Sequence, residues 1–491
     1  MSKESVWASC LTLGLIATPA WAENWTQFRG PKGDSLAKES QLPKEWGQDK
    51  NIQWRMEIPG VAWSSPVIWG DKVFVTTAVM EKQTKPKPGF GFGGGMPGGF
   101  RRGGPGGPPF PPPGGEGGDR PFPPRSDGER GGPPPGGFGR GGFGPMGGGK
   151  PPDQVYQWQV LCLDRATGKL LWKQTAAEKK PTIPKQPSNS YASETPVTDG
   201  EYVYAYFGMT GLFCYDMNGQ LIWKKDFGSY PTAMGFGTGS SPILEGDRLF
   251  VQCDNEKQSF LIALDKKTGK DLWRVDRAEK TSWSTPFVWH NKELTELVAC
   301  GGQKVRSYDP STGKQLWELG GFKGQFQASP VGDAEMLYVG CANPFGSRPL
   351  YAIHAGASGD LTLKSGETSN AGVAWSRTQG GPAISSPLLY QGYLYILEQN
   401  GGFLSCYEAK TGKQVYKERL PQAKGFTSSP WAYDGKIFCL DEEGQTSVVQ
   451  AGAEFKVLGR NKLDEMFWSS PAMANGTLIL RGVDHLYCIK Q

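Results

Sequence analysis

The chain has 491 residues, 12% of them aromatic, and a formal net charge of +5. Between Pro86 and Pro152 eight Lys/Arg face four Asp/Glu, so most of that charge sits there and the rest is close to neutral. A basic folded surface made for nucleic acid is not indicated, and the aromatic content suffices for a large core.

Residues 1–22 read as a secretory signal. Lys3 supplies a positive start, Val6 to Ala17 is mostly apolar, and Ala20-Trp21-Ala22 offers small residues at a cleavage site. Cys10 lies behind Trp-Ala-Ser, which does not match a lipoprotein box. No other stretch approaches the roughly 18–20 apolar residues that span a bilayer. The expectation is an exported protein of a periplasmic or extracellular space that does not span the membrane. Such a space favours disulfides, yet the eight remaining cysteines, Cys162 to Cys488, lie far apart in apolar strand-like runs. They read as small buried hydrophobes.

Residues 23–50 form an N-terminal extension. Asn51 to Ile58 then reads as a strand carrying Trp54, and after it a phrase of small hydroxylated residues before proline begins to recur. The phrase ends at Pro66, Pro196, Pro242, Pro286, Pro330, Pro387, Pro430 and Pro471, with spacings of 41 to 57 residues apart from the first, of 130. Each copy leads into two short β-rich runs split by a turn, as at Gly70-Asp71 and Gly246-Asp247. A third run ends in Asp-x-x-Thr-Gly-Lys at 164–169, 265–270 and 309–314, with a near match at 408–413. There Asp can bond the backbone two residues on, and Gly takes the positive φ. A fourth run carries Trp172, Trp223, Trp273, Trp317 or Trp375, and Tyr416 and Phe455 are assigned the same place in the next two repeats.

Residues 86–152 fill the long first gap with 27 Gly and 18 Pro. So little apolar surface cannot offset the entropy of ordering, and the stretch is expected to stay disordered as a loop of the first repeat. Arg101-Arg-Gly-Gly and Arg140-Gly-Gly-Phe look like nucleic-acid tracts. Export argues against that partner and for a solvated tether.

Four antiparallel strands at this period describe a propeller blade, and eight copies an all-β eight-bladed propeller. The last repeat, 467–490, holds three strands only. The Trp54 strand is expected to complete it and remove an open edge. The Asp-x-x-Thr-Gly-Lys-x-x-Trp phrase resembles the repeat of the pyrroloquinoline-quinone (quinoprotein-like, BamB-like) family. That resemblance implies that Trp54, Trp172, Trp223, Trp273, Trp317 and Trp375 dock between blades. Asn24-Trp-Thr-Gln-Phe-Arg-Gly-Pro31 is similar to the opening of exported members, and a packing role across the propeller follows.

Catalytic residues remain unassigned. His290, His354 and His485 are isolated, with no zinc, nucleophile-elbow or P-loop signature. The candidate binding residues stand before each innermost strand, at one mouth of the channel: Trp63, Ser64, Ser65, Glu194, Trp283, Ser284, Trp468 and Ser469. Hydroxyls before proline also satisfy turn backbone. The resemblance implies pyrroloquinoline quinone and Ca²⁺ for enzymatic members, which carry adjacent cysteines and an acidic cluster, and neither stands out here. The reading placed first is a non-catalytic binding or scaffold propeller holding a protein or envelope polymer at one face. A quinone-dependent alcohol or sugar dehydrogenase comes second and a carbohydrate-binding propeller third.

Overall fold

The structure is a computed structural model that describes residues 24–38, 41–86, 149–343 and 346–491. The proposed signal at 1–22 and nearly all of the 86–152 segment lie outside the described residues. Among those described, regular structure is β throughout apart from two single 3₁₀ turns. Eight antiparallel sheets follow one another around a ring: an eight-bladed propeller.

Each blade starts at the channel with a strand of two to four residues and works outward. Blade 1 runs Val67–Trp69, Lys72–Met80, Tyr156–Asp164 and Leu170–Lys179. Short inner strands fit the narrow centre of the ring, and the outer ones alternate half-buried and exposed residues as a half-covered surface requires. In blade 6 Gln391 and Gly392 both take positive φ, 51° and 81°, the pair that a two-residue hairpin matched to strand twist needs.

The core lies between blades rather than within them. Phe74, Val160 and Cys162 of blade 1 pack with Val203, Ala205 and Phe213 of blade 2, and an equivalent apolar cluster fills every later seam. All eight described cysteines are unpaired and seven are buried. Burial pushes the thiols up, Cys162 and Cys300 to about 12, so they are inert fillers of the seams.

The docking tryptophans show how seams close. In the Asp164 turn, Asp164 Oδ1 accepts from Thr167 N at 2.8 Å and Thr167 Oγ1 at 2.6 Å, and Gly168 has φ +72°. Trp54, on the preceding blade, lies flat on that glycine and donates its indole N–H to the Arg165 carbonyl at 2.8 Å. Trp172, Trp223, Trp273 and Trp375 repeat the contact on Gly219, Gly269, Gly313 and Gly412, each with an N–H to a turn carbonyl.

Three blades depart from this pattern: Tyr416 takes the docking register in blade 6, and blades 4 and 7 differ more. Trp317 holds the same register but is fully buried, and its N–H goes to Glu296 Oε2 of its own blade at 2.6 Å. Blade 5 offers no Thr-Gly turn there. Its long loop instead lays Gly359–Asp360 in parallel along Trp317 and Glu318, a fifth strand on blade 4. In blade 7 the sequence expectation for Phe455 is corrected by the register. Val448 pairs with Gly459, so glycine stands at the docking position. Phe455 lies instead in the preceding turn, edge-on to Tyr416 of blade 6. The missing ring is replaced from elsewhere: Trp46 of the N-terminal extension is buried and stacks on Phe438 at 6.1 Å. Asn461 fixes it by accepting from Trp46 N and donating to the Lys44 carbonyl, both at 3.1 Å.

Closure is made by the N-terminal strand. Ile52–Glu57 is the outermost strand of blade 8, paired antiparallel with His485–Lys490 from Ile52↔Ile489 to Glu57↔His485.

Candidate functional site

Backbone chemistry builds the centre of the ring. From Ser65 to Ser429, the residue just before each proline donates its amide N–H to the hydroxyl of the equivalent residue one blade on. The chain of bonds runs Ser65 to Thr195 (2.9 Å), Thr195 to Ser241 (2.9 Å), Ser241 to Thr285 (3.0 Å) and Thr285 to Ser329 (3.0 Å). It continues Ser329 to Ser386 (2.9 Å), Ser386 to Ser429 (3.1 Å) and Ser429 to Ser470 (3.0 Å). Seven consecutive steps make a belt that laces the blades together. The recurrence of Ser/Thr follows: only a short hydroxylated side chain reaches a neighbouring amide from this position.

The residue one earlier turns away from the channel, as the next residue of an extended chain must. Ser240 and Ser385 donate to the Ser284 and Ser428 carbonyls across a seam, both at 2.9 Å. Ser64 accepts from Thr76 Oγ1 at 2.8 Å and from Arg481 Nη1 at 2.7 Å. Arg481 is wholly buried, which lowers its guanidinium to about 9, and it also caps the Ser64 and Thr76 carbonyls. Ser284 and Ser469 are likewise buried in the wall. Glu194 is buried there too, one carboxyl oxygen has no hydrogen-bond partner, and burial pushes the carboxyl up to about 7 against the lowering effect of Thr238.

The N-terminal extension crosses the channel one to three residues beyond the belt. Trp25 pairs with Ile68 of blade 1, and the Thr26 carbonyl accepts from Thr198 of blade 2. Gln27 accepts from Leu244 of blade 3. Arg29, buried and lowered to about 10 chiefly by desolvation, donates to the Pro330 and Pro387 carbonyls of blades 5 and 6 at 3.0 and 2.6 Å. Leu36 and Ala37 then join Ala432 of blade 7. Phe28, held between these anchors, forms the floor of a cavity of about 180 Å³.

The belt hydroxyls make the wall of this cavity, and Trp63, Trp283 and Trp468 stand at its rim. Trp63 and Trp468 lie 4.7 Å apart between ring centres. Trp63 and Trp283 donate to the Ser188 and Gly237 carbonyls at 2.8 and 2.7 Å, which fixes the rings and leaves their faces. Of the sequence candidates, Trp63, Ser65, Trp283 and Trp468 come together at the cavity, and Ser64, Glu194, Ser284 and Ser469 stand behind its wall. Gln186, Ser188, Asn189 and Phe28 also line it. They belong to no repeat, so self-similarity could not single them out.

Among the described residues no charged side chain lines the cavity. Among the described residues no group of three or more His, Cys, Asp or Glu is placed to hold a metal ion. Pyrroloquinoline quinone is a tricarboxylate, and Ca²⁺ takes roughly six to eight oxygen ligands with carboxylates among them. A wall of hydroxyls and indoles does not fit that pair. Among the described residues no helix is long and apolar enough to cross a membrane.

Comparisons with known proteins agree with the repeat. Residues 158–336 match the sequence model of the family described as outer membrane protein assembly factor BamB. BamB of Yersinia pestis is 23% identical over 239 residues, which is 45% of this chain and 57% of that relative's length. Among solved structures, BamB from Moraxella catarrhalis aligns with 67% of this chain and 91% of its own at 12% identity and a TM-score of 0.48. Quinohemoprotein alcohol dehydrogenase from Comamonas testosteroni aligns with 95% of this chain and 80% of its own at 9% identity and a TM-score of 0.55, a likeness of fold. Over residues 158–336 the repeats are thus similar to those of the pyrroloquinoline-quinone type.

Proposed function

We propose that this eight-bladed propeller of pyrroloquinoline-quinone-type repeats is an exported, non-catalytic binding protein that holds its ligand or partner at the rim carrying Trp63, Trp283 and Trp468. The observation that carries the reading is the cavity wall, which among the described residues offers aromatic faces and hydroxyls but no acid, base or metal ligand set. Similarity to BamB, described as an assembly factor, supports a binding or scaffold role in the cell envelope. The likeness of fold to an alcohol dehydrogenase keeps a quinone-dependent oxidation as the competing reading, because one fold hosts many functions.

The two separate in one experiment. Purified protein is titrated with pyrroloquinoline quinone and Ca²⁺ and then assayed for dye-linked oxidation of alcohols and sugars. No saturable quinone binding and no turnover are expected. Stoichiometric binding with turnover would overturn the reading.

A further inference from the structure

The belt has spare hydrogen-bonding capacity, all of it on one side. Each hydroxyl from Thr195 to Ser470 accepts a neighbour's amide N–H, and none of these hydroxyl protons has an acceptor among the described residues. Seven O–H donors therefore face the cavity. Gln186 Oε1 and Ser188 Oγ also line it, buried and without a partner. A buried polar group left unmade costs about 1–3 kcal/mol, so an occupant that pairs with these groups gains what the empty wall forgoes.

The occupant's chemistry follows by elimination. An anion or cation would find no counter-charge in the lining, and burying an unpaired charge is costly. A purely apolar guest would leave the hydroxyl protons and both acceptors dry. What remains is a neutral molecule with many hydroxyls and an apolar face. A sugar ring has both: its C–H face stacks on indole and its hydroxyls donate and accept at the edge. Trp283 stands apart from the Trp63–Trp468 pair around the rim, so a ring entering the mouth meets aromatic faces from more than one side. A volume of about 180 Å³ is below the ~300–1,000 Å³ of pockets for drug-sized ligands, so it takes a terminal unit rather than a length of chain.

We propose that the central cavity binds the terminal residue of a neutral carbohydrate, stacked on Trp283 and the Trp63–Trp468 pair and hydrogen-bonded to the belt, Gln186 and Ser188. The inference rests on the binding reading above and names the ligand class for the same rim.

The test titrates the full chain with neutral trisaccharides built from glucose, xylose, mannose and N-acetylglucosamine, read by calorimetry and tryptophan fluorescence. Saturable binding of at least one is expected, equal at low and high salt because no ion pair is involved. Trp283→Ala should weaken it about tenfold or more, the equivalent of about 1.4 kcal/mol. Trp283→Phe should restore most of the loss, and Leu171→Ala on the outer rim should change nothing. Thermal melts establish that each variant is folded, and Ser188→Ala, which leaves the aromatic rim whole, gives a second and smaller loss. If no trisaccharide binds at millimolar concentration, or binding ignores Trp283→Ala and Trp468→Ala, the proposal fails. Failure with no quinone binding leaves the binding reading standing, whereas quinone binding with turnover removes that reading first.

Discussion

Glu194 interrupts a run of serines and threonines with a carboxyl buried in the wall, one of its oxygens unpartnered. Its folded value of about 7 lies above the ordinary carboxylate range because burial disfavours the charge. Below the unfolded value both states are protonated and nothing is lost. As pH rises through the unfolded value and on toward 7, the unfolded chain releases its proton first, so stability falls across that window and levels off above it. Glu194→Gln removes the linkage. Its advantage in melting should be absent near pH 4 and grow to on the order of 3 kcal/mol by pH 8. A difference between the two proteins that does not change with pH would contradict this. The sequence singles out Glu194 as the acid at these positions. It cannot say that Glu194 faces a seam, because which of two adjacent extended residues points inward depends on the strand that follows.

Turns and docking rings act as units of strand and seam. Gly412 and Gly435 both have positive φ, +70° and +67°, but their surroundings differ. A Cβ on Gly412 would stand 2.6 Å from the Trp375 ring, and one on Gly435 would meet nothing within 4 Å. Gly435→Ala should therefore cost only the backbone strain, about 1 kcal/mol. Gly412→Ala adds the clash and should cost about 3 kcal/mol or more, read by denaturant unfolding. Equal costs would mean that the ring does not need the bare glycine. The same seams show what spacing can and cannot reveal. Trp172, Trp273 and Trp317 were legible because each follows a Thr-Gly-Lys turn at fixed distance, and Trp223 because Asn218-Gly219-Gln220 stands in the same place. Phe455 was misplaced because blade 7 has no such turn to set its register, and the substitute, Trp46, comes from some four hundred residues away. Trp317 kept its register, but its new partner Glu296 is in another strand, beyond the reach of a local phrase.

At the scale of the ring, the count of eight and the seam between Trp54 and the last repeat were readable because a three-strand repeat leaves an edge that a propeller must fill. The blind cavity was not readable. It depends on Phe28 and Arg29 crossing the channel, contacts made with blades 5 and 6 through proline carbonyls that look alike in every repeat. The two N-terminal elements should accordingly fail in different ways. A chain beginning at Asn51 keeps the closing strand but loses Trp25, Leu42 and Trp46 from the core and the floor beneath the belt. It should fold as a ring that melts lower, with the channel open at both ends and sugar affinity reduced. A chain beginning at Gly60 also loses Ile52–Glu57, which uncovers the whole edge of His485–Lys490 and takes Trp54 off Gly168. An unpaired edge beside an emptied seam invites pairing with other chains. This second variant should therefore elute as aggregates or oligomers and unfold without a cooperative transition, whereas the first elutes as a single compact species. If the two behave alike by size-exclusion chromatography and thermal melt, the closing strand contributes no more to ring integrity than the segment that plugs it.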